Sequence, residues 1–309
     1  MQIVPYEPPL LEAWNGFNRA ARNGHFLFDR GYMDYHADRF ADVSLVAIDE
    51  GRIVGLIPAN LDGDVVHSHQ GLTFGGLVTE TAGTAEVMRM LDACAETWRR
   101  QGARQLVYKA LPWIYQRLPA QEDLYWLFRR DARLVRRDVT TAIDARAPGH
   151  RSSRRDRGAR KASKAGLVFA RSARWPDFWS LLAEVLATRH GAEPVHTTAE
   201  IERLAAAFPA SIALHTAEQD GRVVAGVVMF ASAQVAHAQY IAVDEAGRAL
   251  GALDGLLSHL IETHGEHRYF DFGISNTAQG RELNEGLVSQ KEEFGGSAVV
   301  HDFYRIDDL

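Results

Sequence analysis

The residues best equipped for chemistry lie between Val235 and Phe294. The run VAHAQYIAV reads as a strand with His237 and Gln239 on one face and Ala238 and Tyr240 on the other. The run YFDFGIS reads likewise, with Asp271, Gly273 and Ser275 opposed to Phe270, Phe272 and Ile274. If the two strands run parallel and adjacent, His237, Gln239, Asp271 and Ser275 face one cleft at the strand ends where α/β proteins bind ligands. An imidazole beside a carboxylate suits general acid–base work, although the two groups can equally do no more than satisfy each other. Between the strands, Asp244–Ala252 forms a glycine-containing turn that opens a leucine-rich helix. Strand, Gly-rich turn and helix N-terminus together receive a phosphate, because free backbone N–H groups and the positive helix end point at the anion. After YFDFGIS, Asn284, Gly286, Gln290, Lys291 and Glu292 crowd one short polar helix.

Charge points the same way. The 309 residues carry a formal charge of −6, but residues 129–174 hold 15 basic and 4 acidic side chains, a local excess of 11 that leaves −17 elsewhere. Such asymmetry suits a polyanionic ligand or a solvated basic linker. Within it, Arg154, Arg157 and Lys161 share one face if the segment is helical, and a row of cations is relieved by an anion.

Other chemistries have little support. GxxxxGK[ST], HExxH, CxxC and GxSxG are all missing from the sequence. The single Cys94 excludes an internal disulfide and thiolate metal sites, and fits a reducing cytoplasm. None of the 13 histidines pairs at a persuasive ligand spacing; His67 and His69, two apart on a strand, read as half-buried histidines, so no metal is expected. No apolar run approaches the roughly 20 residues needed to span a bilayer, and MQIVPYEPPLLEAW does not read as a secretory signal.

The elements that position these residues occur twice. SLVAIDEGRIVGLIPA and ALHTAEQDGRVVAGVVMFA are both hairpins, with turns at Gly51 and Gly221, 170 residues apart. Each is followed by a helix (Thr84–Gln101; the leucines from Leu253), a short strand (Gln105–Ala110; Tyr269–Ile274), a further helix and a closing strand containing Asp138 or Asp302. Leu11, Trp14 and Phe17 mark a first helix in one copy, and Phe178, Leu181, Leu182, Val185 and Leu186 its counterpart. Thr197 and Glu200 form a capping box for the next helix. The fold class is α/β with a mixed sheet. Its domains are residues 1–145, a basic linker or helix at 146–166, and residues 167–309.

This order of hairpin, strand, Gly-containing turn, helix, strand, helix and strand resembles the GNAT acyltransferase fold, giving two tandem GNAT-like domains from an internal duplication. The duplicated form resembles the tandem-GNAT proteins that include Fem-type aminoacyltransferases. RHGAEPVHT at 189–197, HAQYIA, FDFGIS, and LNEGL, QKEEFG and VVHDFY between Leu283 and Tyr304 are similar to tandem-GNAT proteins of bacterial polysaccharide assembly, some of them nucleotide-sugar N-acyltransferases.

The resemblance implies transfer from acetyl-CoA or another acyl-CoA to the amine of an amino sugar, nucleotide-linked. It assigns the thioester carbonyl to the backbone of Ile241, Ala242 and Val243. It assigns the CoA pyrophosphate to Gly247, Arg248, Gly251 and Ala252, with Asn284 and Lys291 added from the later helix. The superfamily's [QR]xxGx[GA] turn is matched at Arg248 and Gly251, but Leu253 fills its last position. Ser289-Gln290-Lys291 stands where a thiolate-protonating tyrosine is common. An amine must be neutral to attack, and His237, Asp271 and His196 are the candidate bases in that order, with Ser275 beside them. The acyl-CoA falls to residues 167–309. The acceptor falls to His67, His69, Tyr108, Lys109, Trp113 and Tyr115 of residues 1–145, aided by Gln239, His190, Arg154 and Arg157 at an inter-domain cleft. Two alternatives stay open: an aminoacyltransferase using aminoacyl-tRNA, the one reading that brings in a nucleic acid, and a non-catalytic binding module. A membrane partner is not expected, and the oligomeric state is left open.

Overall fold

The computed structural model describes all 309 residues except the side chains of Arg189 and His190. The first half of the chain forms β1 (Gln2–Pro5), α1 (Leu11–Ala20), α2 (Arg30–Met33), β2 (Ala41–Asp42), β3 (Leu45–Asp49), β4 (Arg52–Ile57), β5 (Asn60–Asp62), β6 (Val65–His67), α3 (Thr84–Arg100), β7 (Gln105–Lys109), α4 (Glu122–Arg129) and β8 (Arg133–Asp144). The second half forms α5 (Ser153–Lys164), β9 (Val168–Ser172), α6 (Trp175–His190), α7 (Thr198–Ala207), β10 (Ile212–Gln219), β11 (Arg222–Ala231), β12 (Val235–Val243), α8 (Glu245–Leu250), α9 (Ala252–Thr263), β13 (Tyr269–Ile274), β14 (Asn276–Thr277), β15 (Glu282–Leu283), α10 (Glu285–Glu292) and β16 (Ser297–Ile306).

The duplication reaches backbone detail. Both hairpins turn on two residues of positive φ, Glu50 (47°) and Gly51 (77°) in one, Asp220 (49°) and Gly221 (76°) in the other. Positive φ at both positions matches the twist of the flanking strands, and glycine takes it without strain. Both hairpins also break register at the same place, between Ala47 and Ile48 and between Ala217 and Glu218.

Two compact units result: Met1–Asp138 with Asn276–Glu282 and Val300–Leu309, and Val139–Ser275 with Leu283–Val299. The boundaries read from the sequence follow the linear halves, whereas the units follow strand pairing. In the first unit β7 pairs antiparallel with β16, Lys109 opposite Phe303 and Leu106 opposite Ile306. In the second, β13 pairs antiparallel with β8, Tyr269 opposite Asp144 and Asp271 opposite Ala142. Each unit is therefore closed by strand residues from the other half of the sequence.

The first unit holds a β1-β3-β4 sheet and the strand run β2-β5-β6-β7. Its core is Met90, Leu91, Cys94 and Trp98 of α3 against Leu45, Ile57 and Leu106. The second unit runs β9-β10-β11-β12-β13-β8, with β12 and β13 parallel and the other pairs antiparallel. Val227, Ala236, Leu256, Leu260 and Phe270 form the core beneath α9.

The basic segment takes the helical alternative. Ser152 Oγ accepts the Arg154 N–H at 3.1 Å as N-cap of α5. Two glycines let α5 approach α9: a Cβ at Gly158 would lie 1.9 Å from Asp254 Oδ2, and one at Gly255 2.8 Å from Ala162 Cβ. The expected capping box opens α7, with Thr197 and Glu200 in reciprocal bonds. On β11, a Cβ at Gly226 would stand 2.3 Å from the buried Phe178 ring. Gly226→Ala is therefore expected to destabilise the fold by about 1–3 kcal/mol through overpacking, read as a lowered midpoint in thermal melts.

Candidate active site

The site is set by where two strands part. β12 and β13 pair in parallel only through Val235–Tyr269, Ala236–Phe270 and His237–Asp271. Just beyond, β12 carries a bulge: Ala238 stands opposite Met229 and Tyr240 opposite Val228, so Gln239 is the extra residue. β13 slips against β8 between Asp271 and Ile274, around Gly273 at φ 76°. Past His237, β12 has no strand pairing on its β13 side, and Ile241, Ala242 and Val243 lie on that stretch. The bulge corrects one expectation. Side-chain alternation resets at Gln239, so Tyr240 rather than Gln239 shares the face of His237.

Asp271 is fully buried, and its Oδ2 lies 2.8 Å from His237 Nδ1. Its Oδ1 accepts from Thr140 Oγ1 and, at 3.0 Å, from the Gly273 N–H. A carboxylate is acceptor-only, so in the neutral imidazole Nδ1 carries the hydrogen and Nε2 keeps its lone pair. His237 makes no other hydrogen bond among the described residues, and its side chain is 13% exposed. Positioned in this way, Nε2 is able to take a proton.

Lys291 fixes the end of β13. Its Nζ donates to Gly273 O at 2.7 Å, Ile274 O at 2.8 Å and Ser275 Oγ at 2.8 Å. Burial pushes this ammonium down to about 8, against the opposing pull of Asp271. Ser275 is 1% exposed and serves Lys291, so it is not presented as a nucleophile. His196 is buried, with Nδ1 2.6 Å from Tyr240 Oη, and it accepts the Trp179 indole N–H on its own carbonyl at 2.9 Å. His190 lies outside the described side chains.

A cleft of ≈ 590 Å³ begins where β12 ends, lined among others by Val243, Arg154, Arg248, Gly251, Ser289 and Gln290. Arg155 on its wall is spent on Asp254 (2.5 Å) and Glu293 (2.7 Å), while Arg154 is exposed with Glu293 at 3.7 Å. Arg157 lies outside this lining and bonds Ser153 Oγ at 3.0 Å. The expected turn at 244–252 is instead the short helix α8, because Asp244 caps it through the Gly247 N–H at 2.6 Å. Gly247 is thereby withdrawn from anion binding; a Cβ there would meet Val224 O at 2.5 Å. Gly251 (φ 77°) separates α8 from α9, whose first turn has no side-chain cap. Ala252 is buried behind it. Asn284 is the N-cap of α10, accepting the Leu287 N–H at 3.0 Å.

The first-half candidates are mostly committed to structure. Tyr108 is buried, accepts the Leu77 N–H at 2.9 Å and donates to Asp123 at 2.8 Å. Lys109 Nζ donates to the carbonyls of His69 (3.1 Å), Gln70 (2.9 Å) and Leu72 (2.7 Å), and burial pushes it down to about 8. Burial likewise holds His69 down at about 3 and lowers His67, which also feels the Lys109 charge. Tyr115 is buried in an aromatic group with His25 and Phe74, whereas Trp113 is 49% exposed. Sequence reasoning missed Tyr240, Thr140 and the Lys291 clamp. The first depends on a bulge, the second on strand pairing and the third on where α10 meets the end of β13, none of which leaves a periodic signal.

Residues 150–279 match the family model described as Acetyltransferase (GNAT) domain. Over that stretch the chain is similar to GNAT acetyltransferase domains. A search of curated proteins finds no matching relative. Among solved structures, the chain is similar to FemX (12% identity, 98% of this chain and 97% of that one, TM-score 0.70). It is also similar to L-PGS from Bacillus licheniformis (12% identity, 97% and 92%, TM-score 0.64) and to a tandem GNAT protein from the clavulanic acid biosynthesis pathway (12% identity, 98% and 97%, TM-score 0.56). The matched stretch begins before α5 and includes it.

Proposed function

We propose that the protein transfers an acyl group from acyl-CoA to the amine of a nucleotide-linked amino sugar. One observation carries the reading: His237, oriented by buried Asp271, sits where β12 and β13 part, on the strand that leads into the arginine-bearing cleft. In this reading the CoA phosphates meet Arg154, Arg248 and the open first turn of α9, and the thioester carbonyl meets the backbone of Ile241–Val243. The amine nitrogen attacks the carbonyl carbon and its proton passes to His237 Nε2. The C–N bond forms, the C–S bond breaks, and CoA leaves as a thiolate stable enough to need little acid assistance. Positioning and backbone stabilisation of the oxyanion supply the rest of the acceleration.

The test is release of free thiol from acetyl-CoA in the presence of UDP-linked and free amino sugars, beside thermal melts with CoA. Arg154→Ala and Arg248→Ala are each expected to raise KM for acyl-CoA about tenfold, with kcat little changed. No thiol release with any amine and no CoA-dependent shift in the midpoint would overturn the reading. The exposed cations Arg154, Arg157, Arg160 and Lys161 of α5 favour a second reading, transfer from an aminoacyl-tRNA. A midpoint raised by tRNA, and binding that falls steeply with salt, would support it instead.

A further inference from the structure

The turn from α9 into β13 gathers ligand atoms away from the acyl-transfer site. His264, Glu266 and His267 each offer one, all within 4.8 Å of one another. The grouping exists because the helix ends at Thr263 and the chain folds back, with the His267 N–H donating to His264 O at 3.0 Å. Both ring nitrogens of His264 and Nδ1 of His267 are buried without a hydrogen-bond partner. Glu266 Oε1 lies 3.3 Å from His267 Nδ1, and its side chain is 68% exposed. From β10, His215 brings a further unpartnered Nδ1, its ring 5.8 Å from that of His264.

Buried polar nitrogens are nearly always paired, so several in one turn need an explanation.

We propose that this turn binds a divalent transition metal, zinc being the first candidate, through His264, Glu266 and His267. Two imidazole nitrogens and one carboxylate oxygen are a donor set of three-ligand zinc sites, leaving one position open. Imidazole donors select against magnesium and calcium. The ion would tie the end of α9 to the start of β13, two residues before Tyr269. This departs from the metal-free expectation of the sequence, because the three residues share no helix face and come together only where the helix unwinds.

The test uses the full chain, stripped with chelator, titrated with zinc sulfate alone and analysed for metal after gel filtration. One equivalent of zinc per chain and a raised melting midpoint are expected. His264→Ala and His267→Ala should each weaken zinc binding roughly tenfold or more. Glu266→Gln, at an exposed position that does not threaten folding, should weaken it as well. Failure of the intact chain to retain zinc, or retention equal in all three variants, would overturn the proposal.

Discussion

Asp271→Asn is expected to remove nearly all turnover while leaving the fold and acyl-CoA affinity in place. The amide fills the same volume, and its oxygen still accepts from the Gly273 N–H, the bond seen at 3.0 Å. Its NH2 then faces His237 Nδ1, where the carboxylate lies at 2.8 Å. A donor there forces Nδ1 to accept, so the imidazole hydrogen moves to Nε2 and the base is lost. The same exchange in a serine-protease triad lowers kcat by about 10⁴. Here the amine is already a good nucleophile once neutral, so a fall of about 10²–10⁴ is expected, with His237→Ala in the same range. The decisive measurement is kcat beside CoA affinity for both variants. Turnover unchanged in both would remove His237 and Asp271 from catalysis.

Lys291→Met is expected to cost about 3 kcal/mol of stability, a drop in melting midpoint of roughly 5–10 °C. Methionine nearly matches the volume but leaves Gly273 O, Ile274 O and Ser275 Oγ without their donor. The variant should also lose a pH response. Folding pushes the Lys291 pKa from 10.5 down to about 8, so above pH 8 the unfolded chain holds the proton more tightly than the folded one. Raising the pH through this window therefore favours the folded state, by up to about 1.4 kcal/mol per unit for this group. Lys109, also near 8, contributes in the same sense. The Cys94 thiol, raised from 9.0 to about 12, opposes both at higher pH, so the clean interval is pH 8–9. Denaturant melts across that interval should show about half the wild-type gain in Lys291→Met, and an undiminished gain would place the shifted pKa elsewhere.

Periodicity and turn chemistry located the two hairpins, the main helices and the strands that build the site. Gly51 and Gly221 announced hairpins that recur with the same turn and the same register break, and YFDFGI is a strand over the span read from its alternation. The pairing of His237 with Asp271 was also legible, since it needs only two adjacent parallel strands. What escaped were features set by one residue of irregularity or by distant pairing. The extra residue at Gln239 moved Tyr240 across the sheet, toward His196. Asp244, placed to cap a helix, turned an expected loop into α8 and consumed the Gly247 N–H. Gly251 was read as room for a phosphate, but a Cβ there would also lie 2.6 Å from Gly158 O. A substitution at Gly251 would consequently displace α5 as well as any anion.

The exchange of closing strands has a consequence for synthesis. β7 acquires its β16 partner only through Phe303–Ile306, close to two hundred residues later in the chain. At ribosomal rates of about 5–20 residues per second, that edge stays open for roughly 10–40 s. The exposed edge reads QLVYK, a β-prone segment with one charge, and unpaired edges of this kind invite association with other chains. The second unit waits as well, because it includes residues as late as Val299. Neither unit is complete until residues near 300 have been made, so production of this protein should respond to chaperone supply and to slower elongation at low temperature more than that of a protein whose domains close in order.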